Sequence, residues 1–129
     1  MKIKVAIIDS LGAHGSAHHF YLFGQAKGLI ENKVDVTIYS NKKTFFKSAE
    51  NISIENTFGD IFSSKGKLVN AIFFVSGIIK SYFRAKSSSH NFFHLHFFDF
   101  SILNFFACFF SIFFKAKLIL TVHDIKPFS

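Results

Sequence analysis

Short apolar runs rich in β-branched residues alternate with longer stretches of helical periodicity along this chain. Buried strands are predicted at residues 2–8, 34–39, 52–58, 91–97 and 117–122, and helices at 17–32, from 63 or 64 to 86, and at 100–114. This order of elements favours an α/β fold with a mostly parallel sheet flanked by helices. The 129 residues predict a single domain, residues 1–129.

Composition excludes several classes of protein. With 21 Phe and only 18% charged residues, the chain is not intrinsically disordered, and its single cysteine, Cys108, excludes a disulfide scaffold. A lone cysteine also fits the reducing cytoplasm. The net charge of +7 favours anionic partners. We expect no nucleic-acid partner, because the aromatic residues lie in core stripes and are not interleaved with the basic ones.

The Phe-rich stretch at 100–114 has no charged residue and raises the question of a membrane. As a helix it would be about 22 Å long, shorter than the roughly 30 Å hydrocarbon core. Its polar residues form one helical stripe, so a helix largely buried in protein is predicted, with a membrane span, membrane-surface contact or a partner domain as alternatives. The preceding helix is expected to bury Leu68, Ile72, Val75, Ile79 and Phe83. The apolar run Val5–Ile8 is too short for a signal peptide.

Three polar clusters follow predicted strands, at residues 12–19, 94–99 and 123–124. Because the carboxyl ends of parallel strands meet at one edge of a sheet, we expect these clusters to share a site. Gly15 precedes a helix that Ser16 can cap, so backbone N–H groups there could approach an anion. The dinucleotide fingerprint and the P-loop motif are both absent, which disfavours NAD binding and P-loop chemistry.

Histidines dominate the second and third clusters. His94 and His96 alternate along a strand and share a face, and with His123 they would suit a three-histidine zinc site in a hydrolase, an alternative to the metal-free site that we expect. His94 lies deeper in the strand and is expected to be buried and hydrogen-bonded. His123 emerges at a strand tip, where it suits a hydrogen bond to a substrate hydroxyl, and Asp124 could orient it.

Three segments, in order, resemble the N-terminal domain of GT-B glycosyltransferases of the group 1 type, also called family 4. They are Val5–Asp9 continuing to His14–His19, the junction at residues 30–39, and Phe93–Phe97 followed by the LILTVHD segment at 118–124. Two positions depart from the family pattern. His14 stands where a glycine pair is frequent, which puts a role for Gly12 in doubt, and Lys33 stands where glycine is favoured, at a local conformational cost.

The resemblance implies a Rossmann-like domain that forms the N-terminal half of a GT-B fold, with the donor-binding C-terminal domain absent. It implies transfer of a sugar from a nucleotide-sugar substrate to a glycan or lipid-linked acceptor, as in polysaccharide biosynthesis, without a cofactor or metal. His123 would be the catalytic residue that contacts the sugar. The expected substrate-binding residues are Gly15, Ser16, His18, His96, Asp99 and Asp124.

The same reading predicts that the isolated chain is inactive without a donor-binding domain. A cytoplasmic protein is expected from the single cysteine, and peripheral contact with the cytoplasmic face of an acidic membrane is left open. The alternative is a module without catalytic activity that binds a membrane surface, or an inactive relic of an enzyme.

Overall fold

A computed structural model of the protein describes residues 1–14, 18–45, 52–98 and 101–123. Over these residues a single sheet contains five parallel strands in the order β3-β2-β1-β4-β5. The strands are β1 (Lys4–Ile8), β2 (Asp35–Asn41), β3 (Ser53–Phe58), β4 (Phe92–Phe97) and β5 (Lys117–Val122). The helices are α1 (His18–Glu31), α2 (Lys67–Ser87) and α3 (Ile102–Ser111), with short 3₁₀ turns at Gly12–His14 and Ile112–Phe114. The α/β, Rossmann-like fold class is confirmed.

Helices cover both faces of the sheet, and alternate residues of β1 show why. Val5 and Ile7 pack with α1, in a cluster that includes Leu22, Phe23 and Ala26. Ala6 and Ile8 point the other way, into a larger cluster that α2 and α3 complete. A parallel strand covered on both faces is a continuous apolar run, as β1 is in the sequence.

The connections place a topological switch point between β1 and β4. From β1 the chain passes through α1 to β2 on one side of the sheet. From β3 it returns through α2 to β4 on the other side of β1. At such a reversal, the loops beyond the carboxyl ends of the two strands diverge and leave a crevice in which ligands bind.

The face that α2 presents to the sheet differs from the prediction. Its fully covered residues are Gly77, Ile78, Ser81, Tyr82 and Ala85, whereas Leu68, Ile72 and Phe83 of the predicted stripe are exposed. The small residues, four apart, let the helix approach the sheet closely. An added Cβ at Gly77 would lie 2.1 Å from Cδ1 of Phe58.

Helix α3 and the 3₁₀ turn that follows it show a polar stripe to the protein and several of their phenyl rings to solvent. Asn104, Ala107 and Ser111 are buried, whereas Phe105 and Phe113 are 65% and 68% exposed. The prediction that this helix is largely buried is therefore wrong. A buried hydrogen bond of 2.6 Å from the Tyr82 hydroxyl to the carbonyl of Ala107 ties α3 to α2 along this polar side.

Among the described residues, α2 is the helix long and apolar enough to cross a membrane, by length and composition alone. Its most apolar window has a mean hydropathy of 1.2 and is 28% buried within the protein. Core helices of soluble proteins meet the same criterion, so this finding is weak evidence for a membrane span.

Candidate functional site

Asp9, the residue after β1, anchors the site at the switch point. Its side chain is fully buried. Carboxylate oxygen Oδ1 accepts hydrogen bonds from the backbone N–H groups of Leu11 and Gly12, at 2.9 and 3.0 Å. The other oxygen, Oδ2, is hydrogen-bonded to Nε2 of His18, the first residue of α1. Asp9 thus closes the loop after β1 and ties it to the start of α1.

Gly12 has a structural role in this loop. Its φ of 46° is left-handed, and an added Cβ would lie only 1.9 Å from Oγ1 of Thr44. Because its N–H also binds Asp9, any side chain at position 12 would displace the carboxylate that anchors the site. The packing around Gly12 therefore requires a glycine at this position for structural reasons.

His96, near the end of β4, is the centre of the site. Its Nδ1 lies 2.9 Å from Nε2 of His123, and its Nε2 lies 3.0 Å from Oε1 of Gln25 on α1. The Gln25 oxygen can only accept, so the hydrogen of His96 is on Nε2. A neutral His96 therefore accepts at Nδ1 the hydrogen that His123 donates from Nε2.

Aromatic rings enclose these histidines. The ring of His123 is stacked against His96 and Phe98, with centroid distances of 5.2 and 4.8 Å. Tyr21 and His18 of α1 lie edge-on to His123, both at 5.2 Å. The arrangement fixes the planes of the imidazole rings as well as their hydrogen bonds.

Burial favours the neutral form of His94 and His96 by lowering the pKa of both. It lowers the pKa of His96 to about 3, and the nearby carboxylate of Asp9 only partly opposes this effect. Burial, followed by the proximity of His123, also lowers the pKa of His94. As predicted, His94 is buried and hydrogen-bonded, with Nε2 2.8 Å from Oγ1 of Thr121.

A cleft of about 410 Å³ opens beside His96 at the same edge of the sheet. Its walls are mostly apolar and include rings from α2, from β4 and from two loops. A few polar side chains also line the cleft, among them Lys67 at the start of α2. The lining residues include Phe62, Phe74 and Phe97 with Lys67, His96 and Asn104.

Of the seven predicted site residues, the structure brings together His18, His96 and His123. The other four, Gly15, Ser16, Asp99 and Asp124, lie outside the described residues. Sequence reasoning missed Asp9 and Gln25. A signal for each was present in the sequence. Asp9 follows Val5 and Ile7 at a spacing of two, so it faces the same side of the sheet, and Gln25 follows His18 by seven residues, so it lies on the same side of α1.

The described residues that could hold a metal ion differ from the three histidines of the sequence-based alternative. Candidate ligand atoms of Asp9, His18 and His96 all lie within 4.8 Å of one another. His94 instead uses a ring nitrogen to bind Thr121.

Comparison with known proteins gives no assignment. Neither the family models nor the curated proteins yield a match to this chain.

Proposed function

We propose that this chain is the acceptor-side domain of a glycosyltransferase that transfers a sugar from a nucleotide-sugar to a glycan or lipid-linked acceptor. The segments that resemble the family suggest this activity. One structural observation carries the proposal: His123 and His96 are hydrogen-bonded to each other at the carboxyl ends of neighbouring strands, beside the switch-point crevice. Crevices of this kind are where open parallel sheets bind their ligands.

The hydrogen bonds define what His123 offers a substrate. Since His123 donates from Nε2 to His96, the acceptor of its neutral ring is Nδ1. Of the two ring nitrogens, Nδ1 is the one at which His123 would accept a hydrogen from a sugar hydroxyl in the substrate complex. Gln25 and His96 are then positioning residues, because they set the tautomer and the plane of His123 without touching the sugar.

The cleft supports a bulky substrate with an anionic part. Its rings, among them Phe62, Phe74 and Phe97, supply apolar walls of the kind that hold a sugar ring or a lipid chain. Lys67 adds a positive charge at the N-terminus of α2, where the helix dipole also favours an anion. A phosphate joined to a sugar matches this combination.

The test is a titration followed by NMR of the histidine side chains. We expect high concentrations of UDP-glucose or GDP-mannose, bound weakly without a donor-binding domain, to shift the His123 ring resonances more than UDP or GDP alone. His123→Ala should abolish the sugar-dependent binding, whereas His19→Ala, whose ring packs on Phe20 in α1, should retain it. If nucleotide-sugars leave His123 unperturbed, or act no differently from the free diphosphates, the proposal is wrong.

The outward phenyl rings of α3 and of the 3₁₀ turn after it favour a second candidate function, binding to an acidic membrane surface. Phe105, Phe109 and Phe113 are exposed on the outer side, and Lys115 and Lys117 follow them. Aromatic rings that insert into the membrane interface, together with nearby lysines, are typical of interfacial binding. Each lysine contributes about 1 kcal/mol near acidic lipid. The net charge of +7 acts in the same direction.

Vesicle co-sedimentation tests this second function. The chain should bind vesicles that contain phosphatidylglycerol at low salt and release them at high salt, because exposed charges are screened. A Phe105→Ser, Phe109→Ser, Phe113→Ser triple variant should bind weakly at both salt concentrations. Absence of binding at low salt would exclude a membrane role.

A further inference from the structure

We infer that Asp9, His18 and His96 form a binding site for a divalent transition-metal ion of the zinc class. The side chains come from three separate elements: the loop after β1, the start of α1 and the end of β4. One carboxylate oxygen and one nitrogen from each imidazole lie within 4.8 Å of one another. His96 is shared with the proposed sugar site, but the inference is argued from the donor atoms alone and not from sugar transfer.

The chemistry of the donor set indicates the kind of metal. Two imidazole nitrogens and one carboxylate oxygen suit Zn²⁺, which takes three protein ligands and one open position in catalytic sites. Calcium and magnesium prefer oxygen ligands throughout, so this set disfavours them. One carboxylate with two imidazoles suits a borderline ion such as Zn²⁺, which is neither as hard as Mg²⁺ nor as soft as Cu⁺.

The residues around the three ligands hold them in place, as outer partners do in metal sites. Oδ1 of Asp9 accepts hydrogen bonds from two backbone N–H groups, and Oδ2 is directed toward His18, to which it is hydrogen-bonded. Gln25 accepts a hydrogen from Nε2 of His96, and this fixes the ring. The lone pair of Nδ1, which accepts a hydrogen from His123 in this structure, is the one that the metal would take. Asp9 is fully buried, and the side chain of His18 is 8% exposed, so the site is built into the fold.

Zinc titration of tag-free, chelator-treated protein, without nucleotide-sugar, tests the inference. We expect one Zn²⁺ per chain. His18→Gln and His96→Gln should each weaken zinc binding by about 100-fold or more, since even outer partners of a metal contribute 10–100-fold. The matched control is His19→Gln, the neighbouring histidine whose ring packs on Phe20, which should bind zinc like the unaltered chain.

A second measurement uses the unaltered protein and covers the case in which a variant does not fold. Zinc should shift the ring nitrogen resonances of His18 and His96, and Co²⁺ in its place should produce visible d–d absorption. The inference is overturned if zinc does not bind, if His18→Gln binds it as tightly, or if the zinc-induced shifts occur only at other histidines. Because no sugar is present, a negative result leaves the sugar-transfer proposal to its own test.

Discussion

Lys33 adopts a backbone conformation that its side chain disfavours. It lies just beyond the end of α1 with a φ of 62°. Its N–H donates to the carbonyl of Ile30, and the next N–H, of Val34, donates to Leu29, at 2.9 and 3.0 Å. These two bonds form a Schellman motif, in which the left-handed position is usually glycine. The cost inferred from the sequence at Lys33 therefore has a structural basis.

Lys33→Gly should stabilise the protein by about 0.5–1 kcal/mol, because glycine adopts positive φ without steric cost. Urea unfolding measures the change. Lys33→Ala removes the same charge but keeps a Cβ, so we expect no gain from it. Equal stability of the glycine and alanine variants would contradict this account.

His90 is a buried histidine at the opposite edge of the sheet from the site. Its Nδ1 lies 3.0 Å from the carbonyl oxygen of Ala85, and its ring lies 6.0 Å from that of Tyr39. Burial lowers the pKa of His90, and Lys4 lowers it further. The hydrogen bond with Ala85 and the charges of Glu55 and Asp35 act in the opposite direction, but burial is the largest effect.

The lowered pKa of His90 predicts loss of stability in acid. In the unfolded chain the imidazole of His90 takes up a proton below about pH 6.5. In the folded protein the same imidazole is protonated only at a lower pH. The contribution is fully favourable above the unfolded pKa and is lost as pH falls toward the folded pKa. We expect the free energy of unfolding to decrease from about pH 7 to pH 5. His90→Gln should reduce the slope of the unfolding free energy with pH by an amount equivalent to up to one bound proton. An unchanged slope would exclude His90 as a cause.

At the scale of elements, the close contact between α2 and β3 depends on one glycine. Gly77→Ala should destabilise the protein by about 1–3 kcal/mol, because the added methyl meets the buried ring of Phe58. Gly24→Ala in α1 is the matched control. An added Cβ there meets nothing within 4 Å, so this variant should gain about 0.5–1 kcal/mol from helix propensity. Urea unfolding of both variants checks the prediction, and equal effects in the two helices would refute it.

Element order and type could be predicted because hydrophobic periodicity reports them directly. β5 begins and ends where the sequence places it, and α1 differs from its predicted bounds by one residue at each end. The faces of α2 and α3 could not be predicted in this way. Periodicity predicts that an apolar stripe is buried. In the structure the sheet instead packs against small residues such as Gly77 and Ser81, which allow close approach, and the large side chains turn outward.

Part of the site can be predicted from the order of the strands. His96 and His123 follow neighbouring strands, so parallel topology alone brings them to one edge. Asp9 and Gln25 join them only once strand parity and the position of α1 over the sheet are known. A single acid after a strand is ordinary in loops, and its burial is a property of the tertiary structure.

At the scale of the whole molecule, the surface formed by the outer side of α3 is strongly apolar. Phe105, Phe109 and Phe113 are 65%, 48% and 68% exposed, and Leu118 and Leu120 of the edge strand β5 are also exposed. Large contiguous apolar surface on a soluble protein promotes association. An uncovered edge strand with apolar side chains acts in the same direction.

We therefore expect the isolated chain to self-associate at micromolar concentration, as measured by sedimentation velocity. The Phe105→Ser, Phe109→Ser, Phe113→Ser variant should be largely monomeric and should keep its thermal stability, because these rings contribute little to the core. Phe110→Ser is the matched control on the same helix. Its ring packs against the core, so this substitution should destabilise the protein by about 3 kcal/mol without removing the exposed surface. If the triple variant associates as strongly as the unaltered chain, the edge of β5 and not the phenyl surface drives association.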